Sequence, residues 1–465
     1  MDKLGMLSVG IMQARTVRFV LDGDYVLCAT EEGKQRGEFL TEGKHYSGEQ
    51  EVHVESGKLV FDGRCFKDIL FTGGKNFTLC GVTIGVNFHW QREENQTFMG
   101  DLLLVVGNDR VLAGACERFA GEEMGESVVA INRLDVEDYL ASVISSEMSA
   151  TSSLELLKAH AVISRSWLLH PILNPHKRSE HTENKEISAD GEERIIRWYE
   201  RDAHNLFDVC ADDHCQRYQG ITRKTSVDVQ RAIDATRGEV LISEENGEIC
   251  DARFYKSCGG MTEEFENCWA DEHYSYLESV RDSEAHEDID LRNEQQAERW
   301  IRTSPPAYCN THDKRVLRQV LNGYDQETKD FYRWKVEYSQ EELSTLVKEK
   351  SGIDFGKIED LVPIKRGPSG RIYELRIVGE KCTVVVGKEL EIRKWLSKSH
   401  LYSSAFVVDK LTTAEGVRFV LHGAGWGHGV GLCQIGAAVM ADEGFRYEEI
   451  LHKYFPHTRK VKIES

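Results

Sequence analysis

Glu147 stands at the end of a short helical pattern that would suit a carboxyl group working as an acid and base. From Asp135 to Met148 the apolar residues recur at helical spacing. Glu147 lies four residues after Val143 and eight after Tyr139, so it falls on the edge of the predicted buried stripe. A carboxyl group there is partly desolvated, which favours its protonated form and proton donation. The alternative is a surface glutamate at a helix end, the commoner situation.

A glycine-rich segment over 423–434 brings an aromatic ring, an imidazole and an amide together. Five glycines in the nine residues 423–431 allow positive φ and a close approach of backbone to ligand. Trp426 could stack on a sugar ring, and His428 and Gln434 could bond to hydroxyl groups. The segment precedes a helical pattern, whose free N–H groups can hold developing negative charge. The alternative is a structural glycine turn, which would need neither the tryptophan nor the histidine.

A second loop of small residues, 256–262, has the sequence KSCGGMT and follows a predicted strand. It offers hydroxyl groups, of which Ser257 is the candidate for substrate binding. Taken alone, this loop is most simply a turn.

His204, Cys210 and Cys215 have types and spacing that suit a zinc site. Thiolates and a neutral imidazole are ligands that zinc prefers, and three protein ligands leave a position for water or another side chain. His214 competes as a ligand. The spacing alone leaves two alternatives open, namely core cysteines beside a surface histidine, or a disulfide in an exported protein.

The elements that must position these residues indicate an α+β fold class: a β-rich platform with a small helical catalytic layer and an inserted α+β segment. Alternating apolar patterns predict strands in the N-terminal region. Helices are predicted over 135–148 and from Leu154 to about His170, where Pro171 should stop the second one. The densely charged stretch 174–203 is predicted to be a solvated excursion.

The same patterns predict four regions. These are an N-terminal β-rich region over 1–130, a catalytic core with the Glu147 helix and the zinc segment over 131–283, an inserted α+β segment over 284–410, and a C-terminal part over 411–465 that completes the core with the glycine-rich loop and a helix.

Composition and apolar patterning limit the kinds of partner and location that the sequence predicts. The formal net charge of −20 argues against nucleic acid, since a phosphate backbone would be repelled. No apolar run is long enough to predict a transmembrane segment; the stretch 102–106 is strand-sized. Residues 1–14 lack the basic region and longer apolar run of a secretory signal, so the sequence does not indicate an export route.

The motifs occur in an order that resembles the SpoIID/LytB family. Residues 137–148, EDYLASVISSEM, resemble its ExYLxxVVxxEMP signature, and 156–166, LLKAHAVISRS, resemble its EALKAQAVAART helix. Further likenesses are DATRGEVL to DATxGxVL, SCGGMT to SxxGGxT, GHGVGLCQIGA to GHGVGMSQxGA, and ILHKYFPHT to ILxHYYPGT. Three positions depart from the family pattern, namely Ser149 for proline, His160 for glutamine and Cys433 for serine.

The resemblance implies a lytic transglycosylase of peptidoglycan strands, with its catalytic carboxylate at Glu147. It also implies a zinc ion held by His204, Cys210 and Cys215, because some members bind zinc through one histidine and two cysteines just before a QxYxG stretch. Here CQRYQG occupies residues 215–220. The metal would be structural or near the site, and the chemistry itself would require no cofactor. Lys158 and Arg165, seven residues apart on one helical face, would orient substrate substituents or else form salt bridges.

Lytic cleavage needs one carboxyl group, because the C6 hydroxyl of the sugar is the nucleophile. Two alternatives stay open. One is a non-catalytic glycan-binding protein or amidase enhancer, as the LytB side of the family suggests, with a cell-wall amidase as partner. The other is a glycoside hydrolase, which needs a second carboxylate such as Asp251 or Glu263. The substrate predicts an extracytoplasmic location, in the periplasm or cell envelope.

Overall fold

The structure is a computed structural model that describes residues 6–30, 40–84, 91–107, 125–149, 151–173, 183–187, 193–197, 204, 206–212, 215–222, 226–284, 289–321, 330–414 and 416–463. The contacts divide the chain into two compact units. Unit 1 comprises residues 1–150, 202–238 and 463–465, and unit 2 comprises residues 151–201 and 239–462. The predicted core over 131–283 therefore contributes to both units.

The secondary structure is mixed and rich in strands, which confirms the predicted α+β class. The strands are β1 Leu7–Ala14, β2 Thr16–Thr30, β3 Leu40–Glu55, β4 Lys58–Phe61, β5 Arg64–Phe66, β6 Asp68–Thr72, β7 Asn76–Ile84, β8 Arg92–Met99, β9 Asp101–Gly107, β10 Ser127–Leu134, β11 Glu183–Ile187, β12 Glu193–Arg197, β13 Val209–Cys210, β14 Glu239–Ser243, β15 Phe254–Tyr255, β16 Arg333–Ser339, β17 Ile358–Arg366, β18 Ile372–Gly379, β19 Thr383–Gly387, β20 Phe406–Thr413, β21 Gly416–Ala424, β22 Leu432–Cys433 and β23 Thr458–Lys462. The helices are α1 Val136–Glu147, α2 Leu154–Leu173, α3 Val227–Ala235, α4 Glu294–Arg302, α5 Lys314–Val320, α6 Gln340–Ser351, α7 Glu389–Trp395, α8 Gln434–Asp442 and α9 Tyr447–Tyr454.

Unit 1 is built on an 11-stranded sheet in the order β13-β1-β10-β9-β6-β2-β3-β4-β5, with β7 paired to β2 and β8. The alternation read from the sequence gives these strands a buried face. In β2, for example, Val17, Phe19 and Leu21 are at most 2% exposed, whereas Thr16 and Arg18, on either side of Val17, are exposed. The N-terminal strands that the sequence predicts are thereby confirmed.

Helix α1 follows β10 directly and confirms the helix predicted over 135–148. Asp135 caps it, because its side chain accepts a hydrogen bond from the backbone N–H of Glu137. The residues that face the interior include Tyr139, Leu140 and Val143, each 0% exposed. Helix α1 therefore buries one side within unit 1 and ends at Glu147.

Unit 2 contains a five-stranded sheet in the order β11-β12-β19-β18-β17 and a three-stranded sheet in the order β16-β21-β20. The pairs β14-β23 and β15-β22 complete its strands among the described residues. The prediction of a solvated excursion over 174–203 is wrong where β11 and β12 lie. Strand β12 pairs in parallel with β19, and Ile195, 3% exposed, joins the hydrophobic core, so apolar residues within the charged stretch decide its structure.

The second predicted helix is confirmed as α2, but it does not stop at Pro171. It continues to Leu173, with the proline inside its last turn. The proline has no backbone N–H, so the last turn of the helix lacks one hydrogen bond. Within the described residues, no helix combines the length and apolar character that crossing a membrane requires.

Candidate active site

Glu147 is the last residue of α1 and is half-buried. The turn that carries it is fixed by the N–H of Met148, which donates to the carbonyl of Ile144 at 2.8 Å. Met148 is 2% exposed and Ile144 is 0% exposed. The carboxyl group thus belongs to a half-buried residue at the edge of the buried stripe.

The stretch Gln216–Gly220 holds α1 in place within unit 1. The ring of Tyr218 stacks on that of Tyr139, with centroids 5.1 Å apart and planes 21° apart. The N–H of Gln219 donates to the hydroxyl of Ser142 at 3.3 Å. Two neighbouring residues of this stretch thus contact the helix that ends at Glu147.

His204, Cys210 and Cys215 converge in unit 1, as a zinc site requires. Their ligand atoms all lie within 4.8 Å of one another, and His204 Nε2 is 3.3 Å from Cys215 Sγ. His204 and Cys210 are buried, and Cys215 is half-buried. One imidazole nitrogen and two sulfurs at this separation fit tetrahedral zinc with one further ligand. These residues could hold zinc; His214 lies outside the described residues.

The glycine-rich segment and the second small-residue loop are joined in unit 2. Ser257 and Trp426 exchange two backbone hydrogen bonds, of 3.1 and 2.7 Å. Gly425 has a φ of 75°, and a Cβ atom there would lie 2.7 Å from the carbonyl oxygen of Ser257. This position requires glycine both for its backbone conformation and for its close approach.

Trp426 is half-buried and packs in a group of three aromatic rings. Its ring lies 4.4 Å from that of Tyr402 and 4.8 Å from that of Phe331, measured between centroids. Both neighbours restrict the rotamers of the indole. A tryptophan fixed in this way offers a preorganised apolar face of the kind on which a sugar ring stacks.

Both ring nitrogens of His428 bond to backbone. Nε2 lies 3.1 Å from the carbonyl of Phe254, to which it donates, and Nδ1 accepts from the N–H of Val430 at 3.1 Å. Burial and the nearby Arg253 lower the pKa of His428 well below its usual value, so the ring is neutral. In this conformation His428 fixes the glycine-rich loop to β15.

Gln434 opens α8 and is 1% exposed. Its Nε2 donates to Nε2 of His160 at 3.2 Å, while Nδ1 of His160 lies 3.1 Å from the hydroxyl of Ser164. Burial, followed by the charge of Lys256, lowers the pKa of His160 to about 3. The histidine is therefore neutral and accepts from the amide of Gln434.

Lys158 and Arg165 both make contacts inside unit 2. Lys158 Nζ pairs with Glu155 at 2.7 Å, which matches the salt-bridge alternative. Arg165 is 1% exposed and donates to the carbonyl of Glu239 at 2.9 Å. Arg165 thereby links α2 to β14.

The two carboxylates considered for a hydrolase lie in the interior of unit 2. Asp251, 4% exposed, pairs with Arg253 at 2.8 Å. Glu263 is 0% exposed and accepts from Asn267 Nδ2 at 2.8 Å. Burial raises the pKa of Glu263 to about 7.

Sequence reasoning singled out the histidine at 160 only as a departure from a motif. The structure shows His160, in α2, as the partner of Gln434, the first residue of α8. The two residues are 274 positions apart, so no local pattern indicates that they touch. Only the resemblance of both segments to motifs of one family could have suggested the contact.

Comparison with known proteins gives two family matches. Residues 124–242 match the family described as Stage II sporulation protein, SpoIID, and residues 263–431 match one described as Domain of unknown function (DUF8618). The first match includes α1 and the three candidate zinc ligands.

Three relatives resemble most of the chain. An uncharacterized protein of Brachyspira hyodysenteriae is 26% identical over 332 residues, which is 71% of this chain and 67% of that protein. Stage II sporulation protein D of Bacillus subtilis is 23% identical, over 72% of this chain and 77% of the relative. The amidase enhancer of Bacillus subtilis is 24% identical, over 69% of this chain and 40% of the relative. The SpoIID match and these relatives support the resemblance of the ordered motifs to the SpoIID/LytB family.

Proposed function

We propose that the chain is a lytic transglycosylase that cleaves the bond between N-acetylmuramic acid and N-acetylglucosamine in peptidoglycan strands. The observation that carries the proposal is the position of Glu147, half-buried at the end of α1, within the residues that match SpoIID. The likeness to Stage II sporulation protein D and to the amidase enhancer supports a role at the cell wall. Such a substrate would place the protein in the cell envelope.

In this mechanism Glu147 acts first as an acid and then as a base. Its carboxyl proton passes to the glycosidic oxygen, and the bond from that oxygen to C1 of the muramic sugar breaks. The carboxylate then takes the proton of the C6 hydroxyl, whose oxygen bonds to C1. The products are a 1,6-anhydromuramyl end and a free 4-hydroxyl on the departing N-acetylglucosamine.

Other predicted site residues would bind the substrate or fix the loops that surround it. Trp426 would bind a sugar ring, with Ser257, His428 and Gln434 fixing the loops around it. Zinc bound by His204, Cys210 and Cys215 would supply a structural link and takes no part in the proton transfers.

The test is mass spectrometry of products from purified glycan strands, with and without stem peptides. Wild type should form anhydromuramyl ends, and Glu147→Gln should form none, because the amide can neither donate nor accept the proton as required. Asp138→Asn, which removes an exposed carboxylate from the same helix, is the matched control and should retain activity. Reducing ends in place of anhydro ends would replace this proposal with a hydrolase.

The second candidate function is that of an amidase enhancer, favoured by the likeness to the Bacillus subtilis protein of that name. It predicts glycan binding without cleavage by wild type and Glu147→Gln alike. Addition of a cell-wall amidase would then release more stem peptide in the presence of either form than in its absence.

A further inference from the structure

A second group of metal-binding side chains lies inside unit 2, apart from the residues discussed for catalysis. It consists of Cys258, Asp282, Cys309 and Cys433, which we call the interior thiol cluster. Each residue is at most 2% exposed, and the four ligand atoms all lie within 4.8 Å of one another. No local pattern predicts this cluster, because its members are 24, 27 and 124 residues apart along the chain.

Backbone pairing explains how these distant residues meet. Strands β15 and β22 pair in parallel, with Tyr255 opposite Cys433, so the loop after β15 brings Cys258 beside the end of β22. The N–H of Asp282 donates to the carbonyl of Gly260 at 3.1 Å. The N–H of Cys309 donates to Asp282 Oδ2 at 2.8 Å. Hydrogen-bonded backbone thus determines the position of every member.

The distances suit a shared metal ion better than a disulfide. Cys258 Sγ and Cys309 Sγ lie 3.4 Å apart. A disulfide requires about 2.05 Å. Thiolates on one tetrahedral zinc, each about 2.3 Å from the metal, lie about 3.8 Å apart. Small adjustments of the side chains would therefore complete a tetrahedron of three sulfurs and one carboxylate oxygen.

The groups around the cluster resemble the outer support of a metal site. The N–H of Cys258 donates to Cys433 Sγ at 3.3 Å, and that of Gly260 donates to Cys258 Sγ at 3.3 Å. Gly260 has a φ of 106°, which glycine alone adopts readily and which turns its N–H back to the sulfur. The hydroxyl of Tyr454 donates to Asp282 Oδ1 at 2.6 Å. Such bonds orient ligands and stabilise their anionic forms.

Metal binding would turn these buried groups into anionic ligands that need a counter-charge. Thiolates and a carboxylate this deeply buried are costly without a counter-charge. Three cationic side chains bond to backbone carbonyls beside the cluster: Arg371 to Cys258 at 3.3 Å, Arg333 to Gly259 at 3.0 Å and Lys453 to Ser283 at 2.9 Å. A divalent ion at the centre would itself supply the counter-charge as it displaces the thiol protons to solvent.

We propose that Cys258, Asp282, Cys309 and Cys433 bind a structural zinc ion. The site joins three parts of unit 2: β22, the loop after β15 and the segment before α5. Strand β22 connects the loop that carries Trp426 to Gln434 at the start of α8. The proposal does not depend on the transglycosylase activity, since its residues and its test involve metal content alone.

The test uses the full chain, purified under reducing conditions after growth with zinc and dialysed against metal-free buffer. Because His204 belongs to the other candidate zinc site, the variant His204→Ala isolates the interior thiol cluster. It should retain one zinc per chain, and His204→Ala/Cys433→Ser should retain none. Serine is the residue that the related motif carries at this position, so the variant should fold. Cys250→Ser, which alters a buried thiol outside the cluster, is the control and should leave the zinc content unchanged.

A second measurement identifies the ligands. His204→Ala loaded with cobalt(II) should show intense cobalt–thiolate absorption, and Cys309→Ser in the same background should lose it or weaken it markedly. A chelator should lower the unfolding temperature of His204→Ala but not that of the double variant. Equal zinc content in His204→Ala and the double variant would overturn the proposal. So would a Cys258–Cys309 disulfide found by peptide mapping of the zinc-grown protein.

Discussion

The ring of Tyr218 stacks on that of Tyr139 with centroids 5.1 Å apart, and its hydroxyl donates to Asn132 Oδ1 at 2.6 Å. One side chain therefore ties α1 to β10, since Tyr139 belongs to the helix and Asn132 to the strand. Asn132 is itself fixed, because its Nδ2 donates to the carbonyl of Met99 at 2.8 Å. The helix that ends at Glu147 is thus positioned by a hydrogen-bonded network in the sheet below it.

Removing the hydroxyl of Tyr218 should destabilise unit 1. In Tyr218→Phe the stacking on Tyr139 remains, but the buried Oδ1 of Asn132 loses its donor, which typically costs about 1–3 kcal/mol. Urea unfolding followed by tryptophan fluorescence measures this change. The control is Tyr46→Phe, whose hydroxyl bonds to the exposed Asp62, and it should change stability by less than about 0.5 kcal/mol. Equal losses in both variants would argue against the network.

Loss of metal from the site of His204, Cys210 and Cys215 should loosen the Tyr218 stretch. In His204→Ala we expect a lower unfolding temperature for unit 1, on the order of 5 °C or more, as a loss of about 2 kcal/mol produces in a domain of this size. Calorimetry with and without added zinc measures it. Zinc should stabilise wild type and leave unit 1 of the variant unaffected. Asp212→Asn, a change beside the site, is the control.

Local patterns were enough to predict the elements that carry the site. The stripe from Tyr139 to Ile144 predicts α1 and the half-buried position of Glu147, because both follow from the period of one helix. Alternation likewise predicts the strands around Val17 and Leu104. The spacing of His204, Cys210 and Cys215 within one short segment suggested a zinc site but left the alternatives open, and only the family resemblance favoured zinc.

Long-range contacts account for what the sequence did not show. The charged stretch that contains Ile195 forms a strand that pairs with β11 and with the distant β19, and no local pattern indicates the β19 partner. Arg165 appeared suited to substrate but bonds to the carbonyl of Glu239, a partner 74 residues away. The interior thiol cluster depends on the parallel pairing of β15 with β22, which brings together segments far apart in the chain.

His160 should make folding sensitive to acid. Its pKa is lowered to about 3 in the folded protein, first by burial, against 6.5 for an ordinary histidine. The unfolded chain therefore binds the extra proton between pH 6.5 and pH 3, and stability falls as the pH falls through this window. Between pH 7.5 and pH 5, the protonation of this one group in the unfolded chain should lower the free energy of unfolding by about 2 kcal/mol.

The variant His160→Gln isolates this effect, since an amide keeps a partner for Gln434 and does not titrate. The free energy of unfolding, measured by urea titration at pH 7.5 and pH 5, should fall by about 2 kcal/mol more in wild type than in the variant. The contribution of Glu263 to stability has the opposite pH dependence, because its pKa is raised to about 7 and its stabilisation is lost as the pH rises. Glu263 is present in both wild type and His160→Gln, so its contribution cancels in the comparison. Parallel pH profiles would contradict a neutral, buried His160.

Truncation of Trp426 should weaken glycan binding without altering the chemical step. The indole is half-buried, with Tyr402 and Phe331 holding its ring, so Trp426→Ala removes a stacking face. A loss of about 1–1.5 kcal/mol raises the Kd for glycan strands about tenfold. Calorimetric titration in the Glu147→Gln background measures binding free of cleavage. Leu411→Ala shortens an exposed apolar residue, 47% exposed, and should leave the Kd unchanged. A decrease in kcat at saturating glycan, with KM unaltered, would instead assign Trp426 to the reacting sugar.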